Sequence, residues 1–169
     1  MLSRSRSTIE GYTDVDWEGD LEERKSTSGY VFLLGNGVIT WCNKKQKCIA
    51  LSTMKAKFVA FSVAAQKAMR LKRFLCHLVV VEPMVVYSDN ETAIAYTKDP
   101  KYHGKTKYID TRFNYVRDLT TQKELNMVYI LTHEMLADLF TKPIPRDVFR
   151  KHIDFLGLRK NLMYGTLFL

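Results

Sequence analysis

The longest amphipathic pattern in the chain begins near residue 51 and is expected to form one helix that runs to about Leu78. Apolar or small residues recur along it at intervals of three and four, the spacing of one buried helix face: Phe61, Ala64, Ala68, Leu71, Leu75 and Leu78. Ser52 or Thr53 is expected to cap the helix. One turn before Phe61 the same face carries Lys57. A lysine therefore heads the inward face, although a helix N-terminus favours negative charge.

Shorter patterns before and after this helix predict five strands, separated by turn signals. The strands are expected at 11–17, 29–34, 38–42, 84–89 and 126–131. Further helices are expected at 91–96, 109–122, 134–141 and 148–156, the last one ending at Gly157. A hairpin of adjacent strands followed by alternating strands and helices predicts a single α/β domain, in which helices pack on one mixed sheet.

Composition and charge narrow the class of protein. The chain has 169 residues, 46% of them hydrophobic, and no apolar run near 18 residues, so we expect a globular domain without a membrane span. A net charge of +8 fits a polyanionic partner such as nucleic acid, although a basic surface without such a partner is the alternative. Three cysteines without a CxxC pattern predict reduced thiols in an intracellular protein, cytoplasmic or nuclear, without zinc.

The two ends of the chain differ from its middle. Residues 1–8 are basic and serine-rich, which resembles the start of an organellar transit peptide, but a flexible leader or a truncated linker fits this short segment better. Residues 159–169 show no clear pattern and are expected to form a tail. The folded domain is therefore predicted at 9–158.

Three aspartates stand where predicted elements end or converge, namely Asp14, Asp89 and Asp138. Ligands of open α/β sheets collect at strand ends. Clustered carboxylates do not all ionise cheaply without a cation, so the trio predicts Mg²⁺ or Mn²⁺. Two such ions would activate a water and stabilise the leaving oxygen of a phosphodiester. A turn or cap role remains the alternative for any single aspartate.

Basic residues cluster at two further places and are candidates for phosphate contacts. Lys44 and Lys45 follow the predicted hairpin, and His103, Lys107 and Arg112 lie around the loop before a later helix. The alternative for each cluster is an ordinary solvated surface. Trp17, Trp41 and Tyr30 are expected in the core, and His133 is expected to be a loop residue.

The residues also resemble a known family. Seven blocks match in order: Gly-Tyr-Thr-Asp-x-Asp-Trp at 11–17, Arg-Lys-Ser-Thr-Ser-Gly-Tyr-Val-Phe at 24–32, Trp41 with Lys44-Lys45-Gln46, Ala-Leu-Ser-Thr at 50–53, Tyr-x-Asp-Asn at 87–90, Thr106-Lys107 with Ile109-Asp110, and Leu-Ala-Asp-x-x-Thr-Lys-Pro at 136–143. Together they resemble the RNase H domain of the Pol polyprotein of copia-type retrotransposons, which are abundant in plants. The resemblance implies an RNase H-like fold with a five-stranded mixed sheet and helices on both faces. It also implies hydrolysis of the RNA strand of RNA–DNA hybrids by ribonuclease H.

The family's chemistry uses two Mg²⁺ ions held by four acidic residues, and by position Asp14, Asp89 and Asp138 match three of them. The fourth is a glutamate in a block that usually reads Ser-Thr-x-Glu-Ala-Glu-Tyr. This chain has Ser-Thr-Met-Lys-Ala-Lys-Phe at 52–58, so Lys57 occupies the position of the metal ligand. An ammonium group has no lone pair for a cation and repels it. The resemblance therefore predicts strongly impaired catalysis, with Lys57 paired to Asp14 and Asp89 as an internal counter-ion.

Two other functions remain open at this point. The domain could bind nucleic acid without cutting it, or it could be a co-opted structural subunit of a larger assembly. The family places a polymerase domain in the same polyprotein, and the isolated domain is expected to be a monomer.

Overall fold

A five-stranded mixed sheet forms the centre of the domain in the computed structural model. The structure describes residues 9–17, 25–35, 37–47, 52–76, 84–98 and 107–158, without the side chains of 96, 98 and 107–110. The strands are β1 (Ile9–Asp16), β2 (Thr27–Leu34), β3 (Gly37–Lys45), β4 (Met84–Ser88) and β5 (Leu125–Tyr129). Their order across the sheet is β3-β2-β1-β4-β5, with the first three antiparallel and with β4 parallel to both β1 and β5. The predicted α/β class and five-stranded mixed sheet are confirmed.

Four α-helices and two short 3₁₀ helices complete the described part of the chain. The α-helices are α1 (Thr53–Leu75), α2 (Glu91–Lys98), α3 (Lys107–Thr121) and α4 (Arg146–Phe155). The 3₁₀ helices are Thr132–Glu134 and Leu136–Phe140. None of the helices in the described ranges has the length and apolar character needed to cross a bilayer.

The single α-helix predicted at 134–141 is wrong, because this segment forms the two 3₁₀ helices instead. The consecutive residues Leu136, Ala137 and Asp138 are all buried, since the segment is enclosed by β1, β2 and α4. Burial on several sides does not give the three-and-four spacing of an amphipathic α-helix, and short 3₁₀ pieces are common in such connections.

Apolar layers cover both faces of the sheet. On one face α1 and α3 pack on the strands, with Phe58 of α1 stacked on Phe113 of α3 at a ring-centroid distance of 4.2 Å. On the other face Tyr12, Leu136 and Leu156 belong to a second cluster under the 3₁₀ helices and α4. Helices therefore cover both faces, as the sequence predicted.

The inward face of α1 follows the predicted spacing. Phe61, Ala64, Ala68 and Leu75 are buried, and Leu71 packs against the same cluster. Ser52 caps the helix, since its side chain accepts a hydrogen bond from the backbone N–H of Lys55 at 3.3 Å. Leu78, the predicted helix end, lies outside the described residues, as do residues 1–8 and 159–169.

The expectation that both tryptophans lie in the core is wrong. Trp41 is 52% exposed and Trp17 is 38% exposed. Trp41 belongs to β3, which is the outermost strand of the sheet, and Trp17 directly follows the end of β1. Tyr30 is partly buried against the cluster under α1, as expected.

Candidate active site

Two of the three predicted aspartates form ion pairs with the same lysine, and the third stands at the same edge of the sheet. Asp14 lies on β1 and Asp89 directly follows β4, the parallel neighbour of β1, so both stand at the same edge of the sheet. Asp138 lies on the second 3₁₀ helix. The Nζ atom of Lys142 lies 2.9 Å from Oδ2 of Asp138 and 3.6 Å from Oδ2 of Asp14. The charge of Asp89 also acts on this ammonium group. The structure thus places Asp14 and Asp138 on one ammonium group, with Asp89 at the same edge of the sheet, while the catalytic role of all three stays a prediction.

A second lysine holds the third carboxylate. The Nζ atom of Lys57 donates a hydrogen bond to Oδ1 of Asp89 at 2.9 Å, and the side chains are 19% and 8% exposed. The hydroxyl of Thr132 donates to the other oxygen of Asp89 at 3.4 Å. Lys57 therefore faces the site, as its position on α1 indicated.

The predicted pairing of Lys57 with both Asp14 and Asp89 needs correction. In the described part of the chain the carboxylate of Asp14 is held by other groups, the hydroxyl of Thr141 at 2.8 Å and the ammonium of Lys142 at 3.6 Å. Both groups come from the segment after Asp138, which packs on β2 directly beside β1. Lys142, and not Lys57, is the cation at Asp14.

Thr141 and Lys142 were missed by the sequence analysis, and a glycine explains their placement. Gly29 is the partner of Asp14 in the β1–β2 ladder. A Cβ atom at Gly29 would lie 2.7 Å from Cγ2 of Thr141 and 3.1 Å from Cβ of Phe140. The missing side chain lets the end of the 3₁₀ helix lie on β2, which places the hydroxyl of Thr141 on Asp14. Both missed residues belong to the block at 136–143, and the four-residue spacing of Asp138 and Lys142 was the available signal.

Burial and charge set the protonation of the cluster. Burial raises the pKa of Asp138 to about 7. The hydrogen bond from Lys142 lowers this pKa, and the charge of Asp14 raises it further. Oδ1 of Asp138 is buried and has no hydrogen-bond partner among the described residues. Burial lowers the pKa of Lys142, but the hydrogen bond with Asp138 and the charges of Asp14, Asp138 and Asp89 outweigh it, so that the pKa is raised overall. Lys142 is therefore charged at neutral pH.

The residues present do not fit the pair of divalent ions that the family resemblance implies. Three carboxylates remain of the four implied acids, and two lysine ammonium groups already pair with them. Among the residues that the structure describes, no three His, Cys, Asp or Glu side chains are arranged to hold a metal. A divalent cation entering here would lack the fourth carboxylate and would meet the ammonium group of Lys57 at 2.9 Å from one of its intended ligands, whereas Lys142 belongs to the block at 136–143 that matches the family.

Three of the five predicted phosphate-binding residues line one cavity of about 190 Å³. Lys44 and Lys45, both exposed at the end of β3, line it together with Arg112 of α3. Nη1 of Arg112 also donates to Oγ of Ser62 at 2.7 Å, which links α3 to α1. His103 and the side chain of Lys107 lie outside the described residues. Binding of nucleic acid by these residues stays a prediction.

Relatives of the chain are found among transposon polyproteins. The chain is 39% identical over 154 residues, 90% of its length, to the retrovirus-related Pol polyprotein from transposon TNT 1-94 of Nicotiana tabacum, and it covers 12% of that protein. It is 30% identical over 155 residues to the retrovirus-related Pol polyprotein from transposon RE1 of Arabidopsis thaliana, of which it covers 11%. The chain thus spans a small part of these relatives. No protein-family model matches it.

Solved RNase H structures share the fold. The N-terminal RNase H domain of a Mycobacterium tuberculosis protein superposes with a TM-score of 0.58 at 11% identity, over 88% of this chain and 97% of that one. LC11-RNase H1, solved in complex with an RNA/DNA hybrid, gives a TM-score of 0.55 at 19% identity, over 79% of this chain and 93% of that one. The chain is therefore an RNase H-like domain homologous to a segment of the Pol polyproteins of copia-type plant retrotransposons.

Proposed function

We propose that this domain binds RNA–DNA hybrids and hydrolyses them weakly or not at all. The observation that carries the proposal is the ion pair between Lys57 and Asp89, whose Nζ and Oδ1 atoms lie 2.9 Å apart. Ribonuclease H activity is the chemistry of the family, and in the family it depends on Mg²⁺ or Mn²⁺ held by four acidic residues, three of which match Asp14, Asp89 and Asp138 by position. In this chain an ammonium group stands where the family has the fourth carboxylate.

The electrostatic cost of a metal beside Lys57 supports the loss of catalysis. Two unit charges 4 Å apart repel by about 4 kcal/mol at an effective dielectric constant near 20, and a divalent ion roughly doubles that energy. Since about 1.4 kcal/mol corresponds to a tenfold change in an equilibrium constant, metal occupancy would fall by several orders of magnitude. Lys142 also pairs with Asp138 and lies near Asp14, but it belongs to the block at 136–143 that matches the family, so the loss of metal binding is attributed to Lys57 alone.

Binding of nucleic acid does not need the metal. The chain carries a net charge of +8, and Lys44, Lys45 and Arg112 surround one cavity. Phosphate contacts supply most of the affinity for a duplex, and an A-form-like hybrid is recognised by its shape rather than by base sequence. The hybrid in the LC11-RNase H1 complex supports this class of ligand.

A second candidate function is a structural role within a larger assembly. The chain covers 12% of the tobacco relative, so the rest of such a polyprotein offers partners, including a polymerase domain. A domain retained for that role would keep the fold without affinity for hybrids.

A cleavage assay tests the proposal on a labelled hybrid in the presence of Mg²⁺. Lys57→Glu restores the implied ligand, and we expect it to raise the cleavage rate about tenfold or more over wild type. Lys55→Glu is the matched control, because it makes the same charge change in the same helical turn, and we expect no gain from it. Wild-type cleavage as fast as that of Lys57→Glu would contradict the proposal.

A binding assay separates the two candidate functions. We expect the affinity for uncleaved hybrid to fall steeply with salt. Each of Lys44→Ala and Lys45→Ala is expected to reduce the slope of log affinity against log salt by about 1. The absence of salt-dependent binding would favour the structural role.

A further inference from the structure

A second cavity, of about 470 Å³, opens on the face of the sheet opposite α1. It lies between β1, β4, the first 3₁₀ helix and α4, and its floor includes Tyr12 and Tyr87. Tyr12 lies two positions before Asp14 on β1 and so shares its face of the sheet, and Tyr87 of β4 lies two positions before Asp89, which directly follows that strand. The cavity therefore opens on the same face of the sheet as Asp14, and its volume is that of a small-molecule site.

The floor of the cavity is aromatic. The rings of Tyr12 and Tyr87 stack with centroids 4.9 Å apart and an interplanar angle of 28°. The hydroxyl of Tyr12 donates to Oε2 of Glu10 at 3.4 Å. Phe155 of α4 lies at the rim with 60% of its surface exposed. Because the two rings stack on each other and Tyr12 is 5% exposed, the partly exposed ring of Tyr87 is the surface on which a planar base can stack.

His152 supplies an unused polar group in the wall. It is 5% exposed, lines the cavity and makes no side-chain hydrogen bond with any other residue that the structure describes. Burial lowers its pKa, so the imidazole is neutral at pH 7 and offers one donor and one acceptor. Buried polar groups in proteins nearly always have partners, so the ring is available to a ligand with hydrogen-bonding groups. The edge of a nucleobase carries such groups.

Two charged residues stand at the mouth of the cavity. Lys151 precedes His152 on α4 and is exposed, which suits a phosphate group. Glu134 of the first 3₁₀ helix is also exposed and can accept a hydrogen bond from a base N–H group. An aromatic floor, a neutral imidazole, a cation and a carboxylate match the separate parts of a nucleotide.

We infer that this cavity binds a nucleoside monophosphate unit, with the base on the ring of Tyr87, its edge on His152, and the phosphate at Lys151. The unit is either a free mononucleotide or the unpaired last nucleotide of a strand. The inference for the free nucleotide stands on the cavity alone. The form with a strand end also rests on the proposed binding of hybrids.

Titrations followed by amide NMR shifts test the inference, with AMP, CMP, GMP and UMP as probes and ribose 5-phosphate as the ligand without a base. We expect the mononucleotides to shift the signals of Tyr87, Glu134 and His152 at millimolar concentration and to bind more tightly than ribose 5-phosphate. Lys151→Ala should weaken binding about fivefold, while Arg150→Ala, the neighbouring exposed cation outside the cavity, should not. Tyr87→Leu should weaken binding by about fivefold or more.

Two results would overturn the inference: no shift at the cavity with any mononucleotide, or ribose 5-phosphate binding as tightly as AMP. A hybrid with one overhanging nucleotide distinguishes the two sources of the ligand. If the protein binds the overhanging hybrid more tightly than a blunt hybrid, and Lys151→Ala removes this difference, the ligand is the end of a strand. If the protein responds to mononucleotides alone, the ligand is the free nucleotide. Lys44→Ala should weaken hybrid binding without changing mononucleotide binding, so failure of the proposed function is distinguishable from failure of this cavity.

Discussion

Lys57 and Asp89 are 32 positions apart in the sequence and form an ion pair 2.9 Å long between the first turn of α1 and the end of β4. The side chain of Asp89 is 8% exposed, so its charge depends on a partner. Lys57 thus neutralises a buried carboxylate that would otherwise need a cation from solution. The same ion pair occupies Oδ1 of Asp89, so this oxygen is not free to bind a metal.

Removal of the lysine charge should destabilise the fold. We expect Lys57→Met to lower the free energy of unfolding by about 2 kcal/mol, because it removes the ion pair of Asp89 and leaves the hydroxyl of Thr132, at 3.4 Å, as the side-chain donor to this carboxylate among the described residues. Urea denaturation measures the change. Lys55→Met, in the same turn, is the control and should stay near wild type. Equal stability of both variants would show that the ion pair contributes nothing to the fold.

The hydroxyl of Thr141 is expected to stabilise the end of the second 3₁₀ helix. It donates to Oδ2 of Asp14 at 2.8 Å, and both side chains are buried. Thr141→Val keeps the shape and removes the donor, so the free energy of unfolding should fall by about 1.5 kcal/mol. Thr141→Ser keeps the hydroxyl, so its free energy of unfolding should fall less than that of Thr141→Val. A serine variant as unstable as the valine variant would point to packing of the methyl group instead.

Close packing at Gly29 is expected to hold the site together. Gly29→Ala would place a Cβ atom 2.7 Å from Cγ2 of Thr141, so the 3₁₀ helix must move away from β2. We expect a loss of about 1–3 kcal/mol in the free energy of unfolding, measured by urea denaturation.

Gly37→Ala serves as the control for this variant. The nearest atom to its Cβ is the carbonyl oxygen of Leu34 at 3.9 Å, so the added methyl group fits. A Gly29→Ala variant as stable as Gly37→Ala would show that the 3₁₀ helix is not packed on β2 as described.

The raised pKa of Asp138 predicts a dependence of stability on pH. The carboxyl has an ordinary pKa of 3.8 and a pKa of about 7 in the folded protein. Between these values the folded state keeps a proton that the unfolded state releases, so the contribution of Asp138 to stability falls as the pH rises through this window. Asp138→Asn has no carboxyl group at this position, so it should not lose this contribution as the pH rises. The difference in free energy of unfolding between Asp138→Asn and wild type should therefore shift in favour of the variant by an amount on the order of 2 kcal/mol between about pH 5 and about pH 8.

Thermal or urea unfolding at the two pH values measures this difference. Asp154→Asn, at an exposed position of α4, is the control because it makes the same substitution outside the cluster. A difference between Asp138→Asn and wild type that is the same at both pH values would contradict the assigned pKa.

The sequence was sufficient for the features that depend on local periodicity. The inward face of α1 fixed the orientation of Lys57, and the ends of the strands indicated Asp14 and Asp89. The roles of Thr141 and Lys142 could not be predicted in this way, because they depend on the packing of one segment against β2 at Gly29. The exposure of Trp41 depends on the strand order, which puts β3 at the edge of the sheet, and sequence periodicity carries no information about that order.

The 3₁₀ geometry after β5 has a similar origin. Met135, Leu136 and Ala137 are consecutive buried residues, and their surroundings come from three other elements. The contact of Arg112 with Ser62 spans 50 positions and likewise has no local signal. Local patterns predicted which residues face inward, and the tertiary structure determined their partners.

Binding of Mn²⁺ tests the central claim most directly, because it requires neither substrate nor turnover. Isothermal titration of wild type with Mn²⁺ should give no binding isotherm, since Lys57 stands in place of the fourth acidic ligand and pairs with Asp89. Lys57→Glu should gain measurable affinity, and Lys55→Glu should not. Wild-type protein that binds Mn²⁺ as tightly as Lys57→Glu would contradict the claim that Lys57 prevents metal binding in this domain.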